Sequence, residues 1–460
     1  MSNRLSPPGA IDRARLTELT ERELSRFADQ HPVSADLFRR GQRSLIGGVP
    51  MPWMMRWAGG FPPFAAHAAG ARVTDVDGHE YVDLCLGDTG AMTGHGPPSV
   101  LAALAAQGQR GITTMLPTED ALWVAEELGR RFGLAHWLFT LSATDANRAA
   151  LRIARQVTGR PKVAVFSYCY HGTVDETFAV RGPGGGTVSR AGNVGPPVDP
   201  AETTVAVEFN DPDQLEAALR DRSVACVLAE PAMTNMGIIL PDPGYHEALR
   251  EITRRTGTLL IIDETHTLSA GPGGCTAAWG LDPDMVTMGK AIGSGVASGA
   301  LGIAGEAAGQ MLAQTDADYE DTGGIGGTLA GNALSLAAVR ATLATVLTSG
   351  AYEQMIPLAG QFRRGVAGVI AEAGLGWHVT QLGCRAEYRF QPGPPRNGTE
   401  ASEAADSSLE RYFHLHAMNR GVLITPFHNM ALMSPATTGG DVDRHTDVFR
   451  AAVSDLLGPG

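Results

Sequence analysis

The sequence lacks the features that would place this chain in a membrane, on a nucleic acid or among disulfide-bonded proteins. No uncharged apolar run reaches the about 18 residues of a membrane-spanning helix, and the opening residues show no apolar segment of a secretory signal. The net charge of −13 has the wrong sign for binding nucleic acid or anionic lipid. The five cysteines are far apart and odd in number, so they form neither a disulfide framework nor a CxxC metal motif. We expect a soluble, cytoplasmic chain without a metal site.

The composition is that of a folded globular protein. Hydrophobic residues make up 43% and charged residues 18% of the 460 residues, a length that corresponds to two or three domains. The 57 glycines indicate many tight turns, some of them close to a ligand. Short apolar runs separated by helix-length segments then indicate βαβ units and a mainly parallel sheet that is covered by helices on both faces. These runs span residues 163–166, 224–228, 259–262, 285–288 and 301–304.

The segments on either side of these runs predict a second, smaller α+β domain. Asp77-Gly78 predicts a tight hairpin turn, and apolar residues at helical spacing begin at Leu16. The predicted helices cover residues 16–27, 35–44, 334–347, 352–372 and 407–419, and a further helix closes the chain. The predicted strands cover residues 71–75, 80–84, 377–381 and 386–390. Mobile loops are predicted over residues 182–186 and 391–402. The predicted domains are an N-terminal helical segment and hairpin start that belongs to the small domain (1–75), a large domain (76–335) and a C-terminal small α+β domain (336–460).

Polar residues that follow two predicted strands mark a candidate site, because ligands bind beyond the carboxyl ends of the strands in an open parallel sheet. Asp263 follows one strand and Lys290 the next, 27 residues later, which is one βαβ step and places both on one edge of the sheet. Ser142 lies in the run 140–147, which contains small hydroxyl residues and precedes a helical stretch over 148–157. Small hydroxyl residues that open a helix offer backbone N–H groups, hydroxyls and the positive end of the helix dipole, which together can hold a phosphate. The alternative for Ser142 is an ordinary helix N-cap.

A phosphate cradle, an acid and a lysine on one edge of a sheet suit pyridoxal 5′-phosphate. The lysine would form a Schiff base, the acid would pair with the pyridinium nitrogen, and the helix end would take the phosphate. Tyr170, which follows a strand, supplies an aromatic ring to stack on the cofactor. A metal site built from His171, Asp263 and His266 is the alternative, but no ligand spacing supports it.

Eight short motifs occur in order between about Gly47 and the C terminus. They are Val76-Asp77-Gly78, Gly94-His95, residues 142–147, Tyr170-His171-Gly172, Glu230-Pro231, Asp263-Glu264, Gly289-Lys290 and residues 327–332. With these motifs the chain resembles a class III PLP-dependent aminotransferase of fold type I, close to the branch of glutamate-1-semialdehyde aminomutase and the aryl β-amino acid aminotransferases. The resemblance implies an α/β fold, with helices flanking a mainly parallel central sheet in a large domain, plus a smaller α+β domain.

The resemblance also implies roles for individual residues. Lys290 is the Schiff-base lysine and later the proton shuttle, Asp263 contacts the pyridine nitrogen, and Tyr170 stacks on the ring. Thr328 reaches the phosphate of the neighbouring subunit, because the family builds its site across a homodimer interface. The other implied cofactor contacts are Ser142, Ala143 and Thr144 around the phosphate, His171 next to the stacking tyrosine, and Glu230 behind the ring.

Several residues depart from the commonest family pattern. Ala143 replaces the usual glycine of the phosphate loop, so its backbone must avoid positive φ. His266 stands where relatives carry Gln or Met; it either bonds the 3′-oxygen of the cofactor or packs as a core histidine, and Asn235 is the alternative neighbour of that oxygen. Met430 and Asp88 stand where the aminomutase carries a glutamate and a tryptophan, which favours transfer between two molecules. Asp88 either recognises a polar or cationic group or, as we favour, caps a turn.

A substrate carboxylate is best bound by a bidentate arginine, and three arginines are candidates. Arg56 follows a proline-rich loop, whereas Arg385 and Arg389 share one face of a predicted strand, so that both point inward or both outward. The alternative for each is a surface ion pair. Trp53 and its apolar neighbours favour a bulky or aromatic substrate side chain, with packing in the core or in a dimer interface as the alternative.

We therefore expect a cytoplasmic homodimer that moves an amino group from an amino acid to a keto acid by a ping-pong mechanism through Lys290. A β- or aromatic amino acid is among the candidate donors. An aminomutase, racemase or epimerase on the same scaffold is the first alternative, and it would work without a keto acid. A binding protein with a decayed site is the second, and the retention of Lys290 and Asp263 together argues against it.

Overall fold

The computed structural model describes residues 11–195, 198–313 and 324–458. In these ranges the strands are β1 (Ala65–Ala69), β2 (Arg72–Asp75), β3 (Glu80–Asp83), β4 (His136–Thr140), β5 (Lys162–Phe166), β6 (Ala179–Arg181), β7 (Thr187–Ser189), β8 (Thr204–Val207), β9 (Val224–Ala229), β10 (Leu259–Asp263), β11 (Met285–Met288), β12 (Gly299–Ile303), β13 (His378–Leu382), β14 (Arg385–Arg389), β15 (Val422–Leu423) and β16 (Met430–Leu432).

The α-helices of the same ranges follow in chain order. They are α1 (Arg13–Gln30), α2 (Pro32–Gly41), α3 (Pro98–Gly108), α4 (Glu119–Phe132), α5 (Ala143–Thr158), α6 (Pro200–Thr203), α7 (Pro212–Leu219), α8 (Tyr245–Thr256), α9 (Gly274–Ala278), α10 (Gly305–Leu312), α11 (Ala333–Ala341), α12 (Ser349–Glu372), α13 (Gly398–Glu403), α14 (Ser407–Met418) and α15 (Gly439–Leu457). A π-helical turn over Thr342–Val346 continues α11.

A seven-stranded sheet forms the centre of the molecule, in the order β4-β12-β11-β10-β9-β5-β8. The pairs from β8 to β11 are parallel, whereas β12 runs antiparallel to both β11 and β4. Every residue of β9 and of β11 is buried, which fits strands that helices cover on both faces. The carboxyl ends of β4, β9, β10 and β11 therefore meet at one edge, and the helix α5 begins there directly after β4.

Helix α5 contacts five strands of this sheet, namely β4, β9, β10, β11 and β12. Its buried face consists largely of small side chains, and Ala146 and Ala150 are fully buried. Small residues let the helix lie close to the strands, which fixes the position of its N terminus at the edge of the sheet.

Two smaller sheets lie outside the main sheet; the first combines the two ends of the chain, and the second is built from the C-terminal part alone. One has the order β1-β2-β3-β15, and the other has the order β13-β14-β16. The hairpin predicted around Asp77-Gly78 is confirmed: β2 and β3 pair antiparallel, and Gly78 has φ +90° in the turn between them. The domain boundaries stay a prediction, and the one between residues 75 and 76 falls inside this hydrogen-bonded hairpin.

The predicted strands of the main sheet are confirmed with shifts of one or two residues at their ends. The strand predicted over 301–304 is β12, which is antiparallel and begins two residues earlier, at Gly299. Two strands of the sheet were not predicted. β4 begins with an exposed histidine and is only half-buried as an edge strand, and β8 has four residues directly after a short helix, so neither presents a long apolar run.

Three predicted segments need correction. The helix predicted over 35–44 starts earlier, at Pro32, because proline is favoured in the first turn of a helix. The helix predicted over 334–347 changes to a π-helical turn and ends before Thr348, which caps α12. The segment 391–402, predicted as a mobile loop, contains the start of α13, since the Asn397 side chain accepts a hydrogen bond from the backbone of Glu400.

The glycine-rich segment 182–186, predicted as a loop, is the turn of the β6–β7 hairpin, with Gly182 N donating to Gly186 O at 2.7 Å. The five cysteines are buried and unpaired. Among the described residues no single helix combines the length and hydropathy of a membrane span; only the pair Ala333–Val346 and Ser349–Glu372 does so together, with a bend of 72° between its parts.

Candidate active site

A cavity of about 350 Å³ opens at the carboxyl edge of the main sheet, where the sequence predicts a site. It lies between the ends of β10 and β11, the start of α5 and the loop that follows β5. Its lining residues include Trp53, Gly90, Leu141, Ser142, Ala143, Thr144, Tyr170, His171, Gly172, Asp263, Thr265, His266, Lys290 and residues 295–298.

Lys290 lies two residues beyond β11, and its side chain reaches the cavity. Its φ of +48° is in the left-handed region, a strained conformation that non-glycine residues adopt mainly at functional sites. The ammonium nitrogen Nζ lies 2.8 Å from Asp88 Oδ2 and 2.8 Å from His266 Nε2. Asp88 lies in a turn, but in the described ranges its carboxylate makes no capping hydrogen bond, so the interpretation that we favoured is wrong. It forms an ion pair with a cationic group, the predicted Schiff-base lysine.

Asp263 ends β10 and is held by a set of buried hydrogen bonds. Its Oδ2 lies 2.8 Å from His171 Nδ1 and accepts a hydrogen bond of 2.8 Å from Asn147 Nδ2. Thr287 in turn donates to the Asn147 side chain at 2.6 Å, and Thr265 N donates to Asp263 Oδ1 at 3.0 Å. Burial alone would raise the pKa of Asp263, but these contacts, led by that with His171, lower it to about 2.

The supporting residues Asn147, Thr265 and Thr287 did not emerge from the sequence as site residues. Asn147 lies one helical turn beyond Thr144 in α5. Thr287 is a polar residue inside the otherwise apolar strand β11, and this break in the apolar pattern was the sequence signal that could have identified it. Burial alone would lower the pKa of His171, but Cys169 and Asp263 raise it well above its ordinary value. His171 and Asp263 therefore form a buried, hydrogen-bonded pair at the base of the cavity.

The N terminus of α5 forms the expected cradle at the cavity wall. Ser142 is the N-cap, and its hydroxyl also donates to Asp145 Oδ2 at 2.9 Å, so this side chain has an internal partner. Ala143 starts the helix with ordinary helical φ, as its lack of glycine freedom predicts. The first backbone N–H groups of a helix have no partner within the helix, so they are available to an anion.

Two glycines keep this cradle open. A Cβ on Gly172 would overlap the side chain of Thr144, and a Cβ on Gly289 would lie 2.8 Å from Ala143 N. Both glycines stand in the predicted motifs, immediately after His171 and immediately before Lys290. The close approach of three chain segments leaves room for a ligand but not for a larger residue at either position.

Aromatic side chains form the mouth of the cavity. The ring centroids of Trp53 and Tyr170 are 5.2 Å apart, and those of Trp53 and Phe427 are 5.4 Å apart. Trp53 lines the cavity and comes from the N-terminal segment, whereas Phe427 comes from the C-terminal segment and packs against Trp53 without lining the cavity, so the two ends of the chain meet beside it. Phe427 was not selected from the sequence.

The three candidate arginines lie in different surroundings. Arg385 is fully buried and donates to Thr89 Oγ1 at 2.8 Å and to Ser269 Oγ at 3.0 Å, and its Nη1 is 3.3 Å from Met430 Sδ. In the described part of the chain no carboxylate lies within ion-pair distance of it. Both arginines of β14 point inward, so a surface ion pair is excluded for them: Arg389 is buried and bonds the carbonyl oxygens of Met236 and Ala401. Arg56 is exposed and lies over the Phe427 ring at 5.5 Å. None of the three arginines is among the residues that line the cavity.

Three predicted cofactor contacts are not part of the cavity lining, and neither are the predicted substrate contacts Asp88 and Met430. Glu230 is buried and receives a hydrogen bond from Thr234, and burial raises its pKa to about 7. Asn235 donates to the carbonyl oxygen of Tyr168 at 2.8 Å, so its amide is already engaged. Thr328 is exposed, away from the cavity residues of its own chain.

The cavity fits pyridoxal 5′-phosphate by the chemistry of its unpartnered groups. Among the described residues, His171 Nε2, Thr265 Oγ1 and Asp88 Oδ1 are buried without a hydrogen-bond partner. Buried polar groups are normally satisfied, so these atoms indicate a polar ligand. The helix end would hold the phosphate, Asp263 would meet the ring nitrogen, and Lys290 would meet the aldehyde.

Comparisons with known proteins agree with this assignment. The family model described as Aminotransferase class-III matches residues 54–444. A glutamate-1-semialdehyde 2,1-aminomutase of Gemmatimonas aurantiaca is 33% identical over 436 residues, which cover 93% of this chain and 98% of that protein.

Solved structures give the same result. A crystal structure of a glutamate-1-semialdehyde-aminomutase from Pseudomonas aeruginosa in complex with PMP has 49% identity and a TM-score of 0.94, covering 97% of this chain and 100% of the other. An omega-transaminase from Sphaerobacter thermophilus has 32% identity and a TM-score of 0.83, with 92% and 98% covered. The chain therefore belongs to the class III aminotransferase family, has the fold type I architecture, and uses pyridoxal 5′-phosphate as its cofactor.

Proposed function

We propose that this protein is an aminotransferase that takes the amino group of an amino acid and passes it to a keto acid in a ping-pong cycle. The observation that carries the proposal is the position of Lys290, whose Nζ reaches a cavity with Asp263 and the N terminus of α5 also in its wall. A lysine, an acid and an anion cradle are the three groups that this chemistry requires.

Four residues of the chain have separate roles in the proposed reaction. When bound, pyridoxal 5′-phosphate supplies an aldehyde and an electron-withdrawing ring. Asp263, whose pKa of about 2 keeps it ionised at neutral pH, holds a proton on the ring nitrogen. Lys290 Nζ carries a proton to and from the reacting carbon of the substrate. Tyr170 would stack on the ring and, with Trp53, which packs against it, would keep water from the reacting atoms.

Arg385 supports an amino acid, instead of a simple amine, as the donor. A fully buried guanidinium without a carboxylate partner in the described ranges is costly unless an anion reaches it. Three successive hydrogen-bond contacts connect it to Lys290, through Thr89 and His266. We assign the substrate carboxylate to Arg385, and the aromatic mouth supports a bulky side chain on the donor.

We also propose a homodimer in the cytoplasm. Thr328 is exposed, as it must be to reach a second copy of the chain. Met115 and Leu116 are 77% and 74% exposed, and large apolar side chains of this exposure favour an interface. The five unpaired, buried cysteines support a reducing compartment.

A second candidate is an aminomutase, which moves an amino group within one substrate. The names of the relatives from Gemmatimonas and Pseudomonas favour it. Two residues favour the transferase: Asp88 and Met430 stand where the family resemblance implies a tryptophan and a glutamate in the aminomutase, and Met430 is buried against Arg385.

The two candidates are separated by the need for an acceptor. Purified holoenzyme is mixed with single amino acids, among them aromatic and β-amino acids, and the loss of its visible absorbance reports removal of the amino group. A keto acid should then restore the spectrum and sustain turnover. Turnover of glutamate-1-semialdehyde without any keto acid, and no response to other donors, would contradict the transferase and support the aminomutase.

A further inference from the structure

Asp88 lies on a strained turn that points its carboxylate at Lys290. Leu86, Gly87, Asp88 and Thr89 all have positive φ, at +46°, +58°, +51° and +81°. Non-glycine residues in this region each cost about 1 to 3 kcal/mol, so the surrounding structure must impose the conformation. Asp83 does so in part, because its Oδ1 accepts hydrogen bonds of 2.9 Å from the backbone N–H groups of Cys85 and Leu86.

The carboxylate has one strong partner. Asp88 Oδ2 is 2.8 Å from Lys290 Nζ, whereas Asp88 Oδ1 is buried with no hydrogen-bond partner in the described part of the chain. The Asp88 side chain is only 16% exposed, so water compensates little of its charge. Burial alone would raise the pKa of Asp88, but the nearby charges, first that of Lys290, hold it well below its ordinary value.

Attachment of the cofactor changes this pair. When Nζ condenses with an aldehyde, a C=N bond forms, one water leaves, and the nitrogen retains one proton at most. If that proton is lost as well, Asp88 faces a neutral nitrogen with both of its oxygens lacking a donor. Leaving a buried carboxylate uncompensated is costly, so the carboxylate favours the form in which the proton stays on the nitrogen.

The other groups around the nitrogen do not provide this negative charge. Burial and the charge of Lys290 lower the pKa of His266 well below its ordinary value, so its ring is neutral. Tyr170 is also neutral, since burial raises its pKa. Asp263, the second carboxylate of the cavity, is already bound by His171 and Asn147. In the described ranges the remaining charged or titratable neighbours are Arg385, beyond Thr89, His428, and Cys85, whose thiol is neutral because burial raises its pKa.

We propose that Asp88 is a positioning residue that keeps the proton on the nitrogen joining Lys290 to the cofactor. The protonated link is the form that an incoming amine attacks, so Asp88 extends the pH range in which the enzyme can begin a turnover. This inference rests on the proposed attachment of the cofactor to Lys290, but it concerns a residue that the general chemistry of the cofactor does not require.

The test is a pH titration of the visible spectrum of the holoenzyme, without substrate, for the wild type, D88N, D88E and D221N. Asp221 is an exposed aspartate that precedes β9, at the opposite edge of the main sheet, and serves as the matched control. The band of the protonated link should vanish at a pH lower by at least about one unit in D88N, the shift expected for loss of an adjacent opposite charge. D88E should restore most of the difference, and D221N should titrate like the wild type.

The outcomes separate this inference from the proposed function. If D88N binds the cofactor and titrates like the wild type, Asp88 does not hold the proton and the inference is refuted. A loss of colour in D88N with unchanged thermal stability, restored in D88E, also supports the ion-pair role. If the wild type itself forms no coloured link at Lys290, the proposed function fails first, and the inference falls with it.

Discussion

Replacing Asp263 with Asn should remove most of the activity while leaving the fold and cofactor binding in place. Asn has nearly the same shape and can still bond Asn147 and the backbone of Thr265, but it cannot carry the negative charge that keeps the cofactor ring protonated. The contacts of Asp263 lower its pKa from 3.8 to about 2, which corresponds to roughly 2 to 3 kcal/mol in favour of the ionised form.

The size of the effect on catalysis follows from this electrostatic arrangement. Removing one preorganised group that stabilises developing charge typically costs about 10²–10³ in kcat. We therefore expect D263N to lose at least about 100-fold in the rate of the donor half-reaction, measured by stopped-flow absorbance under single-turnover conditions. Cofactor content, measured by absorbance after release in alkali, should remain close to that of the wild type.

Glu264 provides a matched control. It is the adjacent residue and a fully buried carboxylate, but it bonds Thr267, Cys275 and Thr276 and does not line the cavity. E264Q should lower stability and leave the half-reaction rate of the folded enzyme unchanged. Near-wild-type turnover in D263N, or an equal loss in both variants, would refute the role assigned to Asp263.

Three further variants test other parts of the account. Gly172→Ala should weaken cofactor binding at least about tenfold, in line with a loss of about 1.4 kcal/mol, because the added methyl group overlaps Thr144; a fluorescence titration of the apoenzyme measures it. Arg385→Gln should raise the KM for amino acid donors at least about tenfold, whereas the KM for amines without a carboxylate should change much less; steady-state assays measure both. Burial raises the pKa of Asp441, but the contacts with Arg72 and Thr438 together outweigh burial and lower this pKa. The stabilising effect of Asp441 is therefore complete above pH 3.8 and is lost as the pH falls below that value, so D441N should flatten acid unfolding there.

Each of these expectations has a contradicting result. Equal cofactor affinity of the Gly172→Ala variant and the wild type would mean that the cradle is not where the cofactor binds. An equal loss with both kinds of donor would remove Arg385 from carboxylate recognition. An acid-unfolding curve of D441N that parallels the wild type would show that the contact with Arg72 contributes nothing to stability.

The edge of the sheet that carries the site was predictable because it depends on local patterns. Apolar runs ending in Asp263 and Lys290 identify strands, and parallel strands must present their carboxyl ends together. The start of α5 was predictable for the same reason, since Ser142 is a favoured N-cap residue and the helix after it is strongly amphipathic.

Contacts between segments that are distant in the chain could not be predicted from the sequence. Asp88 and Lys290 are 202 residues apart, and their pairing depends on a turn with four successive positive φ angles that no propensity predicts for Leu, Asp and Thr. The alternation in β14 placed Arg385 and Arg389 on one face, but whether that face was inside depended on how the small sheet meets the large one. β4 was missed because an edge strand needs no continuous apolar run.

The most direct test of the central claim is to reduce the purified holoenzyme with borohydride and locate the modified residue by peptide mass spectrometry. We predict a phosphopyridoxyl group on Lys290 and loss of the visible band, with neither change in a Lys290→Ala variant. A modified residue elsewhere in the chain, or a colourless protein whose Lys290 peptide stays unmodified, would contradict the account.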